Sequence, residues 1–507
     1  MTKKFYVTTP IYYTNGKPHL GHAYTTVAAD ALARFKRQQG YDVFFLTGTD
    51  EHGQKVEKAA KEAKKAPKKY VDECVKDFQD LWTKLNISHD KFIRTTDKYH
   101  EDAVQNIYAQ LYEKGLIYKG TYEGWYCLPD ETFWADNQVQ EDEKCPECKR
   151  KLIREKTESY FFKMSAFKQK LTEFFEENPE FVKPNSSYNE CLNFFKNELK
   201  DLSVSRDNFT WGIPLPFDKK HVAYVWFDAL FNYCTAIGYD GKDAKSIDKY
   251  WPADVHIVGK EIAKFHTVFW PIMLWSVGLK PPKQVYAHGW WLSEGQKMSK
   301  SLGNVVDPNA ITDKYGSDAF RYYILKQVPF GDDGDFTQAS MQSAYTNDLA
   351  NEWGNLLNRT LVMTQRYCDN KVPKPTTAKE QDKTLLALCE SSTDKFDLHM
   401  EQLEFSKALN EAWTIIRACN KYIQDEKPWE LAKTDEKRLH TVLYHLNDIL
   451  KIIAITLYPI LPTKASEAYE QLGYKDINKA DFSDANTGKT KAGHQIGEVK
   501  VLFPQTK

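Results

Sequence analysis

Strand-like and helix-like patterns of apolar positions alternate over the first 115 residues of the chain. Phe5 to Thr9 is typical of a short buried strand, and a Gly/Pro turn separates it from a helix predicted over His19 to Gln38. Val43 to Thr47 predicts a second strand, and Gln54 to Lys84 predicts a second helix. This alternation is typical of a parallel, doubly wound sheet.

The alternation stops after about Gly115, where Tyr122 to Cys148 is rich in aromatic, turn-forming and cysteine residues. Buried strands are predicted again at Val222 to Phe227, Val255 to Val258 and Gln284 to His288. The sequence therefore predicts a Rossmann-like α/β domain that is split by an insertion of roughly a hundred residues, an ordinary size for a domain.

Helical periodicity dominates from Met341 to Leu472, which predicts a separate all-α bundle, and the tail from Asp481 is predicted to be loop. We divide the chain into a first Rossmann half at 1–115, a connective insertion with a cysteine knuckle at 116–220, a second Rossmann half at 221–325, a junction at 326–350, the helical domain at 351–480 and a C-terminal tail at 481–507.

Composition adds that the chain is globular, with 42% hydrophobic and 27% charged residues among 507. The richest apolar stretch, Val268 to Leu279, is too short for a membrane span and contains Pro271. The start of the chain lacks the apolar core of a signal peptide, so we expect a cytoplasmic protein with no membrane contact. A net charge of −1 leaves RNA binding open, because basic surfaces can be local.

Two short motifs carry the chemistry. In Pro18-His19-Leu20-Gly21-His22, two histidines share a face at the start of a predicted helix, where phosphates bind, and Gly21 would let a nucleotide approach the backbone. Lys297-Met298-Ser299-Lys300-Ser301 is a loop between glycines that could close two ammonium groups on a triphosphate. Taken singly, the motifs could equally be two ordinary helix histidines and a solvated charged loop.

In this order the motifs resemble the HIGH and KMSKS signatures of the class I aminoacyl-tRNA synthetase family. Five longer stretches resemble the methionyl-tRNA synthetase family within that class, and the resemblance runs from Phe5 to about Lys433. These stretches are Thr9 to Gly16, Gly48 to Gly53, Tyr224 to Ala229, Phe265 to Pro271 and Phe330 to Phe336.

The resemblance implies a methionine–tRNA ligase that uses ATP with Mg²⁺ and charges tRNA(Met) for initiation and elongation. It implies catalytic roles for His19, His22, Lys297 and Lys300, and ATP contacts from Gly21, Gly259, Lys260, Glu261 and Lys300. It implies methionine contacts from Ile11, Tyr13, Asp50, Trp226, Ala229, Tyr233, Ile262, Phe265, His266 and Trp270. The alternatives are a class I synthetase for cysteine, leucine or valine, and a non-catalytic tRNA-binding paralogue.

The residue types suit methionine, because an apolar cleft with aromatic edges offers favourable contacts to sulfur. Asp50 follows a predicted strand and is placed to take the α-ammonium group of the substrate. The alternative for Trp226, Phe265 and Trp270 is ordinary core, and the alternative for Asp50 is a carboxylate that caps the next helix.

Cys127, Asp130, Cys145 and Cys148 resemble a zinc ribbon, although many bacterial relatives have cysteine where Asp130 stands. Three thiolates and a carboxylate can hold zinc in a tetrahedral, structural site. The alternative is a knuckle held by hydrogen bonds alone.

In the helical domain, the resemblance assigns Asn351, Asn355, Arg359 and Trp429 to the CAU anticodon. Amide and guanidinium groups can read unstacked bases, and an indole can stack on one. The alternatives are a solvated helix face and a core tryptophan. Many bacterial relatives continue into a dimerising module after the point where this chain stops at Lys507, so we expect a monomer.

Overall fold

The computed structural model describes residues 3–128, 132–134, 139, 142–146, 148–298 and 304–505. It confirms the fold class, an α/β core followed by a helical domain. The strands are β1 Lys4–Tyr13, β2 Asp42–Asp50, β3 Lys91–Arg94, β4 Ile117–Cys127, β5 Thr132–Trp134, β6 Ile153–Phe162, β7 Val182–Lys183, β8 Leu202–Ser203, β9 Ser205–Arg206, β10 Val222–Ala223, β11 Val255–Gly259, β12 Val285–His288, β13 Trp291–Ser293, β14 Gln296–Lys297 and β15 Gly334–Phe336.

Helices surround these strands and then replace them. They are α1 Leu20–Gln38, α2 Gln54–Glu62, α3 Pro67–Lys84, α4 Lys98–Glu113, α5 Lys168–Glu177, α6 Asn185–Glu198, α7 Val225–Leu230, α8 Asn232–Thr235, α9 Trp270–Ser276, α10 Pro308–Tyr315, α11 Ser317–Lys326, α12 Gln338–Ser343, α13 Asn355–Tyr367, α14 Glu380–Glu401, α15 Phe405–Glu426, α16 Pro428–Thr434, α17 Glu436–Leu457 and α18 Pro462–Gln471. Phe265–Phe269 and Ala344–Gly354 are π-helical. No helix in the described ranges is both long and apolar enough to span a bilayer.

The central sheet has six parallel strands in the order β3-β2-β1-β11-β12-β7. The chain winds outward from β1 through β2 to β3, then returns to the other side of β1 with β11. The order therefore reverses between β1 and β11. Open α/β sheets bind ligands at the carboxyl ends of the strands at such a reversal. Tyr13 and Gly259 are the last residues of these two strands.

The predicted helix over Gln54 to Lys84 is two helices. Lys64 has a left-handed backbone (φ 55°), and Pro67 starts α3 in the first-turn position that tolerates proline. The predicted strand at Val222 to Phe227 is wrong after Ala223, since α7 begins at Val225. A short apolar run does not separate a strand from a buried helix by periodicity, and here the run belongs to a helix.

The insertion contains an antiparallel sheet in the order β5-β4-β6-β8, and its longest pairing joins β4 to β6 from Ile117 with Phe162 to Tyr126 with Ile153. The same stretch of chain also supplies β7, which pairs in parallel with β12 at the edge of the central sheet. The residues that we assigned to the insertion thus complete the central sheet and also form a layer of their own.

Helix α1 connects the end of β1 to the helical domain. Its N-terminus lies at the carboxyl edge of the sheet. Near its other end, Arg34 Nη1 donates to the Tyr458 hydroxyl at 3.0 Å and Gln38 Nε2 donates to the Ile455 carbonyl at 3.1 Å. Lys36 also pairs with Glu401 of α14. One helix therefore contacts both parts of the molecule.

A buried cluster of charges fixes this junction. Asp30 is fully buried, and one of its oxygens lies 2.8 Å from Arg34 Nε and 2.7 Å from Arg321 Nη2. Its other oxygen accepts from the Ser88 amide and hydroxyl, both at 2.6 Å. Arg321 Nε and Nη2 also donate to the carbonyls of Ile460 and Pro459 at 2.8 and 3.0 Å. Because buried charges are costly unless paired, the cluster specifies how the helical domain sits on the core.

Candidate functional site

The first helix begins with two stacked imidazole rings. His19 caps α1 by accepting the Gly21 amide on Nδ1 at 3.1 Å, and His22 Nδ1 accepts the His19 amide at 3.2 Å. The ring centroids are 3.8 Å apart. Since Nδ1 is an acceptor in both rings, each neutral imidazole carries its proton on Nε2. The helix start therefore presents two imidazole donors beside its own positive dipole end.

Gly21 has a structural role in this arrangement beside the predicted one. A Cβ at this position would lie 3.1 Å from Cε1 and 3.3 Å from Nδ1 of His19. That is tighter than ordinary side-chain packing. The missing side chain makes room for the His19 ring, in addition to any approach of a ligand to the backbone.

A cavity of about 1010 Å³ opens at the carboxyl edge of β1, β2, β11 and β12. It brings together most of the residues to which the resemblance gave a role in catalysis, ATP binding or methionine binding: Ile11, Tyr13, His19, Gly21, His22, Asp50, Trp226, Ala229, Tyr233, Gly259, Glu261, Ile262 and His266. Lys260, Phe265 and Trp270 do not line it. The volume is that of a pocket for a drug-sized or somewhat larger ligand.

The apolar wall of the cavity has two layers. Trp226 faces the cavity and stacks on Phe265 behind it, with ring centroids 3.9 Å apart and planes 3° from parallel. Trp270 is fully buried, and its Nε1 donates to His256 Nε2 at 3.3 Å. The structure therefore places Phe265 and Trp270 as support for the wall.

Tyr233 and His266 form the polar part of this wall. His266 Nδ1 lies 3.0 Å from the Ile262 carbonyl, which can only accept, so this nitrogen carries the proton. Its Nε2 then accepts from the Tyr233 hydroxyl at 2.7 Å. Burial lowers the pKa of His266 to about 4, although the bond to the Ile262 carbonyl opposes the shift. The wall is therefore neutral at physiological pH.

Asp50 brings a carboxylate to the same cavity. It is the last residue of β2, it is 3% exposed, and its carbonyl accepts the Thr14 amide at 3.2 Å. The next residue, Glu51, turns the other way and pairs with Arg94 at 2.7 and 2.8 Å. The Thr14 amide and Arg94 thus fix the chain at the end of β2, and of the two acidic side chains there only that of Asp50 lines the cavity.

The loop after β11 forms another part of the cavity wall. Gly259 leaves room for the Glu261 carboxylate, because a Cβ there would lie 2.6 Å from both carboxylate oxygens. Glu261 Oε2 accepts from Trp290 Nε1 at 2.7 Å. Lys260 does not line the cavity. Its ammonium lies 2.7 Å from Asp333 Oδ1 and 4.2 Å from the centroid of the Trp290 ring.

The second motif adjoins the cavity at its edge. Lys297 ends β14, and Met298 and Val305 line the cavity on either side of the loop. Residues 299–303, including Lys300, lie outside the described ranges, as does the side chain of Lys297. The roles of both lysines stay predictions from the sequence.

The insertion carries a cluster of three thiols. The sulfur atoms of Cys127, Cys145 and Cys148 lie within 4.8 Å of one another, and those of Cys127 and Cys148 are 3.4 Å apart. None of the three is in a disulfide. Tetrahedral zinc with thiolate bonds of about 2.3 Å holds sulfurs about 3.8 Å apart, so the thiols fit three corners of such a site. Asp130 lies outside the described residues.

The helical domain presents a polar face with one exposed indole. Asn351 and Asn355 are exposed and Arg359 is partly buried, with Asn351 in the π-helical stretch and the other two in α13. Helix α16 packs against α13 and carries Trp429, whose side chain is 41% exposed. This exposure argues against a core role for Trp429.

Two sets of residues, one that lines the cavity and one behind its wall, were missed from the sequence. His288 ends β12, lines the cavity and lies 2.6 Å from the Thr25 hydroxyl through Nε2. Its place at the carboxyl end of a parallel strand was the available signal. The second set is a buried network around Asp228, whose members are far apart in sequence and give no local signal.

Comparison with known proteins identifies related families over nearly the whole chain. A family model described as "tRNA synthetases class I (M)" matches residues 5–156 and 150–361. The "Anticodon binding domain of methionyl tRNA ligase" matches residues 372–507. Among curated relatives, the methionine–tRNA ligase of Caldanaerobacter subterraneus subsp. tengcongensis is 51% identical over 507 residues, which is 100% of this chain and 79% of the relative. That of Bacillus subtilis is 48% identical over 516 residues, 99% of this chain and 78% of the relative.

Solved structures agree with this. Methionyl-tRNA synthetase of Mycobacterium tuberculosis in complex with methionyl-adenylate superposes with a TM-score of 0.96 at 38% identity, covering 99% of this chain and 100% of that one. The apo form of the same enzyme gives a TM-score of 0.89 at 35% identity, covering 100% of this chain and 99% of that one.

Proposed function

Because the chain belongs to the class I methionyl-tRNA synthetase family, its reaction is the ATP-dependent joining of methionine to tRNA, and we propose how its residues carry that reaction. The supporting observation is that one cavity holds the stacked pair His19 and His22, the Asp50 carboxylate and an apolar wall around Trp226. Phosphate donors, a partner for an ammonium group and a cleft for a thioether therefore lie within reach of one ligand.

In the first step, a carboxylate oxygen of methionine attacks the α-phosphorus of ATP. The bond from that phosphorus to the bridging oxygen breaks, and pyrophosphate leaves with the electron pair. The Nε2–H groups of His19 and His22 donate to the phosphate oxygens on which charge develops. Lys297 and Lys300 act from the other side of the triphosphate, and magnesium accompanies ATP as its counter-ion.

Methionine is held at its two ends. Asp50 accepts from the α-ammonium group, a charge-assisted contact. Trp226, Ala229, Tyr233 and His266 surround the thioether, where the aromatic edges favour contact with sulfur. Gly259 and Glu261 contact the adenosine. In the second step, the terminal ribose hydroxyl of tRNA attacks the activated carbonyl carbon, and AMP leaves.

Amino-acid-dependent ATP–pyrophosphate exchange tests this function. We expect exchange with methionine, and rates on the order of a hundredfold lower with leucine, valine or cysteine. A synthetase for another amino acid would reverse this preference, and a non-catalytic paralogue would give no exchange.

Asp50→Asn should reduce kcat/KM for methionine by on the order of tenfold to a hundredfold, because it removes the charge that pairs with the ammonium. Asp369→Asn, on the exposed surface of the helical domain, is the matched control.

We propose that Cys127, Cys145 and Cys148 hold a structural zinc ion, with Asp130 as the fourth ligand. Metal analysis of the protein purified from zinc-replete cells should find about one zinc per chain. Cys145→Ser should lower that ratio, whereas Cys74→Ser, which changes a partly buried cysteine of α3, should not. Fully folded, active protein without zinc would contradict the site and leave a knuckle held by hydrogen bonds.

We also propose that Asn351, Asn355, Arg359 and Trp429 read the anticodon of tRNA(Met). Trp429→Ala should lower kcat/KM for charging of tRNA by on the order of tenfold to a hundredfold, since stacking on one base contributes about 1–3 kcal/mol. Pyrophosphate exchange, which needs only the central cavity, should not change.

Leu398→Ala is the control for Trp429→Ala, because Leu398 is also an exposed apolar residue of the helical domain, 53% exposed. It should change neither activity. A normal charging rate for Trp429→Ala, together with a large drop in melting temperature, would remove Trp429 from the tRNA site.

A further inference from the structure

Behind the wall of the cavity lies a chain of four hydrogen-bonded side chains, which we name the buried relay. His52 Nδ1 lies 2.7 Å from Asp228 Oδ2, and His100 Nε2 lies 2.8 Å from Asp228 Oδ1. His100 Nδ1 lies 2.8 Å from the Thr235 hydroxyl. All four side chains are at most 4% exposed. None of them lines the cavity, so the relay is not part of the surface that a ligand would touch.

The relay joins the separate pieces of chain that carry the proposed methionine contacts. His52 is two residues after Asp50, at the end of β2. Asp228 lies in α7, between the wall residues Trp226 and Ala229. Thr235 ends α8, the four-residue helix that carries Tyr233.

His100 belongs to α4, which supplies the remaining connection. This helix contacts α8 and has no residue in the cavity. His52 therefore joins the segment after Asp50 directly to α7, and His100 of α4 joins α7 to α8. Helices as short as α7 and α8 have little stability of their own, so their positions depend on such contacts.

Charge makes the relay sensitive to the loss of any member. Burial opposes the charged form of His52, but the charge of Asp228 and its hydrogen bond outweigh that effect and raise the pKa of His52. Burial would likewise raise the pKa of Asp228, but the charge of His52 and the hydrogen bonds from His100 and His52 lower it. Removing His52 would leave the buried Asp228 carboxylate with His100 alone, and removing Asp228 would leave His52 with only Glu101 at 3.8 Å. Either loss is unfavourable because a buried charge is costly unless it is well paired.

We infer that the buried relay positions the methionine-binding walls relative to Asp50 and thereby determines the affinity for methionine, an inference that rests on the proposed function. Its members are positioning residues, because they act through Asp50, α7 and α8. The hydrogen bonds and ion pairs of His52 and His100 join α4, α7 and α8 and do not reach the phosphate donors of α1, so the relay should affect methionine binding and leave ATP binding unchanged.

The test measures methionine affinity by calorimetric titration without ATP, beside the KM for ATP in pyrophosphate exchange. His52→Ala should raise the dissociation constant for methionine about tenfold or more, since loss of a hydrogen bond to a charged group commonly changes an equilibrium constant by about tenfold or more. The KM for ATP should stay within about twofold. His52→Asn, which keeps a donor near the place of Nδ1, should restore most of the affinity.

Two further variants separate positioning from general stability. Thr235→Val removes the bond to His100, together with a long one of 3.4 Å to the Asn232 carbonyl, and keeps the shape of the side chain. It therefore keeps the inference testable if His52→Ala fails to fold. It should raise the dissociation constant severalfold. His445→Asn is the control for loss of a buried imidazole, since His445 lies in α17 of the helical domain. It should leave methionine affinity unchanged.

The pH dependence gives an independent readout. The groups that face His52 are Asp228 of α7, Glu101 of α4 at 3.8 Å, and the neighbouring Glu51, which is itself paired with Arg94. Because the pKa of His52 is raised, its charge contributes fully below its ordinary value of about 6.5 and is lost as pH rises through the raised value. Methionine affinity should fall over that range in the parent protein, and this fall should be absent in His52→Asn.

Trp226→Ala, a change in the wall itself, distinguishes the possible failures. If it does not weaken methionine binding in the same titration, the proposed pocket is wrong. If it weakens binding while His52→Ala and Thr235→Val only lower the melting temperature, the relay is a structural network and the inference fails. A change in the KM for ATP equal to the change in methionine affinity would also overturn it.

Discussion

Replacing His22 with alanine should lower the rate of methionyl-adenylate formation on the order of a hundredfold or more, with methionine binding unchanged. The reason is that removing one preorganised donor to a developing negative charge costs roughly that much. His22 Nε2–H is such a donor, because the His19 amide already occupies Nδ1 at 3.2 Å. Single-turnover measurement of adenylate formation and calorimetric titration with methionine check the two halves of this expectation.

The structural cost of this change should be small. Alanine removes one capping contact, worth about 1 kcal/mol, from a helix whose residues are mostly buried. His440→Ala, which removes a partly exposed histidine from the surface of α17, is the control.

Lys300→Ala should give a similar loss of rate, because it removes a donor from the other side of the triphosphate. Near-normal adenylate formation in both His22→Ala and Lys300→Ala would contradict the assignment of the phosphate site.

Replacing Asp30 with asparagine should lower the free energy of unfolding by about 3–5 kcal/mol, the usual cost of removing one partner from a buried ion pair. The change leaves Arg34 and Arg321 without their shared carboxylate, and Arg321 is fully buried. Thermal melting and denaturant unfolding measure the effect. Asp313→Asn is the control, because Asp313 is 72% exposed and its pair with Lys84 should contribute less than about 1 kcal/mol.

The same carboxylate predicts a dependence on pH. Burial would raise the pKa of Asp30, but the charges of Arg34 and Arg321 and the bonds from Ser88 outweigh it and lower the pKa. A lowered pKa means that the contribution to stability is present above the unfolded value of about 3.9 and is lost as pH falls through the native value. Acid should therefore destabilise the parent protein more than Asp30→Asn. Equal acid sensitivity of the two proteins would contradict this account.

The parts of the fold that the sequence predicted well are those in which local signals agree. The turn from Thr14 to Pro18 and Gly40 delimit the first helix, so β1, α1 and β2 could be placed to within a few residues. Val222 to Phe227 offered only an apolar run, which fits a strand or a buried helix equally. Strand β7 has two residues and takes its identity from pairing with β12, which no local pattern reveals.

The residues of the candidate site also differ in whether local sequence signals could reveal them. The motif residues His19, His22 and Asp50 could be named because strand ends and helix starts are visible in sequence. The residues that face the cavity could not be predicted in this way, because their orientation depends on packing between segments that are distant in sequence. Phe265 lies behind Trp226, and Lys260 turns to Asp333, although both are adjacent in sequence to residues that line the cavity. The relay is the extreme case, since its members are separated by up to 183 residues (His52 to Thr235).

Helix α1 connects the stacked imidazoles at its N-terminus to the helical domain near its C-terminus, so a change of orientation at one end is transmitted to the other. Its 19 residues span about 28 Å, from the stacked imidazoles to the contacts of Arg34 and Gln38 with α17 and the residue after it. Over that length, a tilt of about 2° at the far end displaces the imidazoles by about 1 Å, a displacement that costs on the order of a hundredfold at a well-fitted site. The orientation of the helical domain relative to α1 must therefore be accurate to a few degrees for methionyl-adenylate formation to proceed, whether or not tRNA is bound.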